Sequence, residues 1–352
     1  MSARCTIALD AMGGDNAPQM VLDGIVRIQA RHPHARFRLY GDQARLRPQV
    51  EASPELRAVC EIIHTDEVIT NDDKPSQALR KGRQSSMRLA IDAVAEGEAD
   101  GVVSAGNTGA LMAMSKVVLR TLPGIDRPAI ASAFPTERGE TVVLDLGANI
   151  ECGAEHLVQF AVMGANFAHS VLGRARPLVG LLNVGVEELK GNESVKAAAE
   201  TLRAATDLAF DFHGFVEGDD IAKGTVDVVV TDGFTGNVAL KASEGVARLM
   251  TTFLRLSFRR SLMSKLGYLL ARPALNAFRE RLDPRYYNGG VFLGLKGVVV
   301  KSHGGTDAVG FAAALEIAID MVRDRVIERI AVDFQRFAES VSAETQPAPV
   351  TP

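Results

Sequence analysis

The sequence is poor in residues that mark several classes of protein. It contains no tryptophan, and only 5% of its residues are aromatic. Its three cysteines, Cys5, Cys60 and Cys152, are odd in number and widely spaced, so we expect neither a disulfide framework nor a zinc motif. This pattern is typical of a protein of the reducing cytoplasm that binds no metal.

Long apolar runs and an excess of positive charge are also lacking. No apolar stretch approaches the ~20 residues of a membrane-spanning helix, and the chain enters its first strand without a signal-peptide core. A net charge of −4 disfavours a nucleic-acid protein held by bulk charge. What remains is 352 residues, 47% of them hydrophobic, which is enough for a large core.

The most informative stretch is residues 225–250, TVDVVVTDGFTGNVALKASEGVARLM. VDVVV is typical of a strand buried in a parallel sheet, and the polar turn after it contains Gly233 and Gly236. We expect Asn237 to cap the helix that follows. The start of such a helix presents free N–H groups and a positive dipole end, which favour an anion such as phosphate.

The same layout recurs after other predicted strands. VVSAGNTGAL at 102–111 matches it closely, while IALDAMGGD, VVLDLGAN, VGLLNVGVEELKGNE and VVVKSHGGTD match more loosely. Ligands of open α/β sheets bind at the carboxyl ends of the strands. We therefore predict that all six loops lie along one edge of the sheet and form one large site.

The alternation of strands and helices predicts an open, mostly parallel α/β sheet with helices on both faces. We expect residues 1–340 to form a single domain and residues 341–352 a disordered tail. A long helix is predicted over residues 74–95. Its basic, hydroxyl-bearing face is interpreted as solvated surface.

Residues 250–285 depart from this alternation and predict a protruding amphipathic helical segment. Leucine or Phe258 recurs at every fourth position from Leu254 to Leu270, and Pro273 is expected to begin a second helical piece. Such a segment is suited to an anionic membrane surface, to an acidic carrier protein or to packing in a dimer. The candidate docking residues are Arg255, Phe258, Arg259, Arg260, Leu262 and Lys265.

Taken together, the loop sequences carry a resemblance to a known family. IALDAMGGD, VSAGNTGALMA, LDLGANIECGAEHLVQFAVMG, GLLNVGVEELKGNE, VTDGFTGNVALK and KSHGGTDA, in this order, resemble the phosphate acyltransferases of bacterial phospholipid synthesis, the PlsX family. The resemblance implies a Rossmann-like homodimer that transfers a fatty acyl group from acyl carrier protein to inorganic phosphate. It also implies an acyl phosphate product for a membrane glycerol-3-phosphate acyltransferase, and peripheral contact with the inner face of the membrane.

This chemistry requires placement of the substrates more than an activated side chain. Phosphate is already nucleophilic, so no serine, cysteine, metal or cofactor is needed; the site must bind phosphate, offset charge and stabilise an oxyanion. The candidate catalytic residues are Lys190, Asn237 and His303. The candidate phosphate- and substrate-binding residues are Asp10, Gly13, Gly14, Ser104, Gly106, Asn107, Thr108, Gly109, Asn149, Asn183, Asn192, Asp232, Gly233, Thr235, Gly236, Lys301, Gly304 and Gly305.

Three aspartates have a simpler interpretation. Asp10, Asp145 and Asp232 follow strand ends, where carboxylates commonly accept hydrogen bonds from turn amides. We expect all three to hold loops in place and not to transfer protons.

Three other classes of function are alternatives. A nicotinamide-dependent oxidoreductase would need a GxGxxG turn, and none of the six loops has one. A coenzyme A-dependent, phosphotransacetylase-like enzyme shares most of the site logic, and a basic docking surface for an acidic carrier protein would distinguish the two. A non-enzymatic binding module explains the glycine loops poorly.

Overall fold

The computed structural model describes residues 5–205, 208–281, 285 and 289–344. Within these ranges the chain forms one mixed sheet flanked by helices on both faces, as predicted. Most of the predicted tail lies outside the described residues. Its first four residues, 341–344, belong to the last helix, so the helix extends beyond its predicted end.

The strands are short, as expected for β-branched runs bounded by polar turns. Their bounds are β1 Cys5–Asp10, β2 Ala35–Gly41, β3 Cys60–His64, β4 Gly101–Ser104, β5 Ala129–Thr136, β6 Gly139–Leu144, β7 Leu178–Leu182, β8 Asp211–Val216, β9 Val228–Val230, β10 Gly290–Leu293 and β11 Val298–Lys301.

The helices mostly follow the strands and begin at polar caps. Their bounds are α1 Gln19–Gln29, α2 Gln43–Ala52, α3 Pro54–Val59, α4 Pro75–Lys81, α5 Ser86–Ala95, α6 Thr108–Leu119, α7 Ala154–Leu172, α8 Glu193–Ala204, α9 Gly218–Lys223, α10 Gly233–Arg259, α11 Leu262–Arg281, α12 Ala308–Arg323 and α13 Val326–Glu344.

The sheet consists of two parallel halves that run in opposite directions. The order is β3-β2-β1-β4-β11-β10-β5-β6-β9-β7-β8, and the first five strands are mutually parallel. Strands β11, β10, β5 and β6 pair antiparallel in succession, and β6, β9, β7 and β8 are again parallel. Because three antiparallel pairings separate the halves, their carboxyl ends lie at opposite edges of the sheet.

This reversal corrects the prediction of one edge that carries six loops. The loops after β1, β4 and β11 lie at one edge, whereas those after β6, β9 and β7 lie at the other. Sequence periodicity identified the strand ends but contains no information on which distant strands pair, or in which direction.

Alternation along the strands separates the core into two faces. Ile7 and Leu9 point to the larger core, which α1, α7, α12 and α13 cover, while Ala8 points to the opposite face. That second face is divided between one cluster under α5 and α6 and another that includes side chains of α9 and α10. The helices thus hold both faces of the sheet and leave the loops at its two edges accessible.

Two predicted helices are each two helices in the structure. The segment 74–95 breaks at Gly82 into α4 and α5, and Ser85 caps α5 by accepting a hydrogen bond from the Arg88 N–H. The predicted stripe from Leu254 to Leu270 crosses the junction between α10 and α11. Pro273 lies inside α11 and does not begin a new helix.

Helices α10 and α11 project from the sheet and leave many apolar side chains exposed. Leu262 is 83% exposed, Met263 75% and Leu270 77%. Near the junction the rings of Phe258 and Tyr268 meet edge to face with centroids 5.4 Å apart. None of the helices within the described residues is long and apolar enough to cross a membrane.

Candidate active site

A buried aspartate organises the loops after β1 and β4. The Asp10 carboxylate is only 2% exposed and accepts hydrogen bonds from Ser86 Oγ at 2.6 Å and Ser104 Oγ at 2.7 Å. Ser104 Oγ in turn accepts the Gly106 N–H at 3.0 Å. Burial raises the pKa of Asp10, and the two hydroxyl donors oppose that rise. Asp10 therefore holds loops in place, as its position at a strand end predicted.

Glycines allow the three loops after β1, β4 and β11 to contact one another closely. We name these loops the first loop cluster (residues 10–18, 104–109 and 301–307). The Asp15 N–H donates to the Gly304 carbonyl at 2.9 Å. A Cβ on Gly13 would lie 2.7 Å from the Gly106 nitrogen, and Gly14 has a φ of +97°. Any side chain at Gly13 would separate these loops.

Lys301 supplies a partly buried cation to the first loop cluster. Its Nζ donates to the carbonyl oxygens of Ala105, at 3.4 Å, and Ser302. Burial lowers the pKa of Lys301 to about 8, while the charges of Asp10 and Asp15 oppose the shift. The ammonium group thus links the loops after β4 and β11. Its pKa, and so its charge at a given pH, depends on the nearby carboxylates of Asp10 and Asp15.

His303 lies on the exposed part of the same cluster. Its Nδ1 accepts the Gly305 N–H at 3.1 Å. A neutral imidazole has one hydrogen, which must then be on Nε2. Nε2–H of the neutral ring is therefore available as a hydrogen-bond donor.

The Asn107 side chain is occupied by the protein itself. Its Oδ1 caps α6 by accepting the Ala110 N–H at 3.0 Å, and its Nδ2 donates to three carbonyl oxygens within residues 70–73. Thr108 is exposed at the start of the helix. The backbone N–H groups of the first turn of α6 and the Thr108 hydroxyl, and not the Asn107 amide, are thus the groups placed to meet an anion.

At the opposite edge a second aspartate performs the same structural task. Asp145 Oδ1 accepts N–H bonds from Ile130, Gly147 and Ala148 at 2.9, 3.2 and 3.0 Å, and Oδ2 accepts two donors of Asn149. Burial raises the pKa of Asp145, and the hydrogen bonds from Ile130, Ala148 and Asn149 oppose that effect. Its carboxylate is saturated, so it shapes the loop after β6.

The start of α10 packs directly on that loop. The Gly233 N–H donates to the Asn149 carbonyl at 2.7 Å. A Cβ on Gly236 would lie 1.9 Å from the Asp145 carbonyl oxygen. We name the loops after β6 and β9 the second loop cluster (residues 145–153 and 231–237).

Helix α10 is capped by Asp232, which corrects the prediction for Asn237. Asp232 accepts the backbone N–H and the hydroxyl of Thr235, both at 2.8 Å. Asn237 instead lies within the first turns of the helix, exposed, with its side chain beside Gly147. Capping of α10 therefore does not use the Asn237 amide.

The loop after β7 presents Lys190 at the same edge as Asn237. Asn183 Nδ2 donates to the Lys190 carbonyl at 3.1 Å, and Asn192 caps α8. The Lys190 ammonium is half exposed and lies 3.7 Å from a Glu187 oxygen. Since β7 and β9 are neighbours in the sheet, Lys190 and Asn237 follow adjacent strand ends.

The predicted site residues therefore fall into two groups. The first loop cluster contains Lys301 and His303, whereas Lys190 and Asn237 lie at the opposite edge. Sequence reasoning missed Ser86, which reaches Asp10 across 76 residues of sequence. The helix break at Gly82, followed by the Ser85 cap, was the available signal for it.

The chain is similar to known proteins over almost its whole length. The chain matches the model of a family described as fatty acid synthesis protein over residues 5–329. It is 60% identical over 343 residues to the phosphate acyltransferase of Rhodospirillum centenum, covering 97% of this chain and 96% of that one. It is 56% identical over 352 residues to that of Paramagnetospirillum magneticum, covering 100% and 98%.

The chain belongs to the phosphate acyltransferase family. It is therefore an acyltransferase, and the resemblance found in its loops is confirmed. The fold agrees as well: a phosphotransacetylase from Streptococcus pyogenes superposes with a TM-score of 0.60 at 18% identity, covering 91% of this chain and 94% of that one. The EutD phosphotransacetylase from Staphylococcus aureus gives 0.58 at 17%, covering 91% and 95%. At these identities the likeness concerns the fold alone.

The cysteines of this phosphate acyltransferase family member are poor nucleophiles. Burial raises the pKa of Cys5 and of Cys60 to about 12, and that of Cys152 to about 11. Thiols with such pKa values are almost fully protonated at neutral pH, so they form little thiolate.

One group of potential metal ligands lies at the same edge of the sheet as the first loop cluster. Ligand atoms of Asp42, His64 and Asp66 lie within 4.8 Å of one another, at the ends of β2 and β3. However, His64 Nδ1 accepts the Gln43 N–H at 3.2 Å, so the neutral ring carries its hydrogen on Nε2, 3.6 Å from Asp66. Hydrogen bonding explains the position of His64 without a metal.

Proposed function

We propose that this acyltransferase moves a fatty acyl group from acyl carrier protein to inorganic phosphate, releasing acyl phosphate and free carrier protein. The observation that carries the proposal is the identity of 54–60% to phosphate acyltransferases over nearly the full chain. The glycine loops at strand ends support it, since helix starts and loop amides are suited to anions.

The proposed reaction is a single displacement at the thioester carbonyl. A phosphate oxygen attacks the carbonyl carbon, the resulting tetrahedral oxyanion collapses, the C–S bond breaks and the carrier thiolate leaves, to be protonated by a donor or by water. Phosphate brings its own nucleophilic oxygen, so the enzyme contributes position and charge compensation. The high thiol pKa values support this direct route.

We propose a division of labour between the two edges. Lys190 and Asn237, above adjacent strand ends, would hold phosphate and stabilise the oxyanion with an ammonium and an amide donor. The start of α6, with Lys301 and His303, would hold the anionic, flexible arm of the thioester donor. Because the arm is long, the donor would be held at one edge of the sheet while its thioester C–S bond breaks at the other.

The function is tested with purified protein, long-chain acyl carrier protein and phosphate, without metal or nucleotide. Hydroxylamine traps acyl phosphate, and release of free carrier is followed in parallel. We expect release that depends on phosphate. Absence of such release would overturn the proposal, and equal use of acyl-coenzyme A would favour a phosphotransacetylase-like enzyme.

The site is tested with alanine variants of Lys190 and Asn237. Loss of one charge-compensating donor should lower turnover by about 10²-fold or more. The control variant replaces Cys5, Cys60 and Cys152 together with alanine or serine and should retain most of its turnover. Near-normal activity of both alanine variants, or a folded but inactive cysteine-free protein, would contradict the site.

We further propose a homodimer that touches the inner face of an anionic membrane through α10 and α11. The support is the exposed apolar surface around Leu262, Met263 and Leu270, with Arg259 and Arg260 beside it. Apolar side chains next to cations favour an anionic lipid surface, and a second copy of the chain would cover apolar surface further along the helices. Such contact would release acyl phosphate beside its membrane-bound consumer, a glycerol-3-phosphate acyltransferase, while the protein remains cytoplasmic.

A further inference from the structure

A strongly basic surface lies on α4 and on the turn before α5. Residues 74–88 contain five basic residues and no acidic one, in a chain of net charge −4. Arg88 pairs with Asp92 at 2.8 Å. We name the other four, Lys74, Arg80, Lys81 and Arg83, the basic patch; all are exposed, and among the described residues none forms a salt bridge.

The basic patch adjoins the start of α6. Asn107, which caps α6, donates hydrogen bonds to three carbonyl oxygens of the loop that leads into α4. Pro75, at the start of α4, packs so closely that a Cβ on Gly109 would lie 2.8 Å from its Cγ. A partner bound to the basic patch therefore lies next to Thr108 and to the free N–H groups at the start of α6.

The patch differs in character from the surface of α10 and α11. Its segment exposes no leucine, isoleucine, valine, methionine or phenylalanine, whereas α10 and α11 expose more than ten large apolar side chains. Stable attachment to a membrane surface requires apolar burial in addition to charge. Unpaired charges on a polar surface suit a soluble partner of opposite charge.

We propose that the basic patch docks the acidic carrier protein that delivers the acyl thioester. The inference rests on the proposed function and assigns carrier recognition to α4, leaving α10 and α11 to lipid and to the second copy. Complementary charge steers the carrier to this face and raises the rate of encounter. Its arm then enters the first loop cluster past the start of α6.

The test compares two triple charge reversals. One is Lys74→Glu/Arg80→Glu/Arg83→Glu on the patch, and the matched control is Arg255→Glu/Arg259→Glu/Arg260→Glu on α10 and its end. For each protein kcat/KM is measured with acyl carrier protein and with acyl-pantetheine, which has the thioester but no protein, at low and high salt and without vesicles.

We expect the patch variant to lose about tenfold or more in kcat/KM with acyl carrier protein at low salt, mainly through KM. Its activity with acyl-pantetheine should equal that of the wild type, which also shows that it is folded. Salt should reduce the wild-type rate with the carrier and narrow the difference, because screening removes the attraction. The α10 variant should resemble the wild type with both donors.

Two results would overturn the inference: a patch variant that uses the carrier as well as the wild type, or a carrier-specific loss confined to the α10 variant. Direct binding of unacylated carrier protein, measured by calorimetry, gives a second readout and should weaken only in the patch variant. Failure of the proposed function is distinguishable, since then the wild type itself would release no carrier in response to phosphate.

Discussion

At the scale of single residues, buried aspartates and glycines set the shape of the site. Asp10 and Asp145 are saturated by hydroxyl and amide donors, so neither is available for proton transfer. Gly13 and Gly236 permit backbone contacts that a side chain would prevent. Under the proposed function, the groups that act on substrates are those that the loops do not use internally, among them the Asn237 amide and the Lys190 ammonium.

Gly236→Ala should destabilise the protein. The new Cβ would lie 1.9 Å from the Asp145 carbonyl oxygen, and such overpacking costs about 1–3 kcal/mol in the free energy of unfolding. Gly245→Ala on the same helix is the matched control, since nothing lies within 4 Å of its Cβ position. The control should gain about 0.5–1 kcal/mol of stability from helix propensity. Urea unfolding measures both, and equal stabilities would contradict the packing described for this loop.

Lys301 should make stability depend on pH in the alkaline range. Burial lowers its pKa from 10.5 to about 8, despite Asp10 and Asp15. Between these values the unfolded chain binds more protons than the folded one, so the contribution of Lys301 to the free energy of unfolding rises with pH. In urea titrations, the free energy of unfolding of the wild type minus that of Lys301→Met should therefore increase from pH 8 to 10.5. A difference that does not change with pH would mean that folding does not lower the pKa of Lys301.

At the scale of elements, caps and breaks explain where helices begin, and the junction of α10 and α11 is the point of greatest functional interest. The i, i+4 stripe from Leu254 to Leu270 predicts one continuous helix, because the leucine periodicity continues across the junction. In the structure the helix breaks after Arg259, and Leu262 begins the next one. The break brings Arg259, Arg260 and Leu262 to one exposed turn. Such a turn is better suited to contact a surface than the side of a continuous helix.

The wild type should bind vesicles that contain phosphatidylglycerol, and more weakly at high salt. Leu262→Glu and Arg259→Glu/Arg260→Glu should each reduce co-sedimentation, through loss of apolar burial and of charge attraction respectively. Val117→Glu, at an exposed position of α6, is the control and should bind normally. Light scattering confirms that the variants keep the oligomeric state of the wild type. Unchanged sedimentation of both junction variants would leave dimer packing as the role of this turn.

At the scale of the whole molecule, a strand from the end of the chain completes the half of the sheet that the first strands form. Strands β10 and β11 follow the second half in sequence, yet β11 pairs with β4, and β10 joins β11 to β5. The first half of the sheet therefore lacks a central strand until residue 301 is in place. We propose on this basis that the two halves of the sheet unfold as one cooperative unit.

Hydrogen exchange under increasing urea tests this cooperativity. Amides of β1 in the first half and of β9 in the second should lose protection at the same urea concentration, because the shared strands couple the halves. The exposed helices α10 and α11 should lose protection earlier and serve as an internal reference. Separate transitions for β1 and β9 would show two independent units.

The sequence by itself determined what depends on neighbours along the chain: buried strands, glycine turns and the family resemblance. Only the tertiary structure decided what depends on distant pairing. The antiparallel strands β10 and β5 reverse one half of the sheet and separate Lys190 and Asn237 from Lys301 and His303. Ser86 joins Asp10 across 76 residues, and the basic patch reaches α6 through a loop contact. Local patterns specify local backbone and burial, whereas strand direction and contacts between loops arise from packing of the whole core.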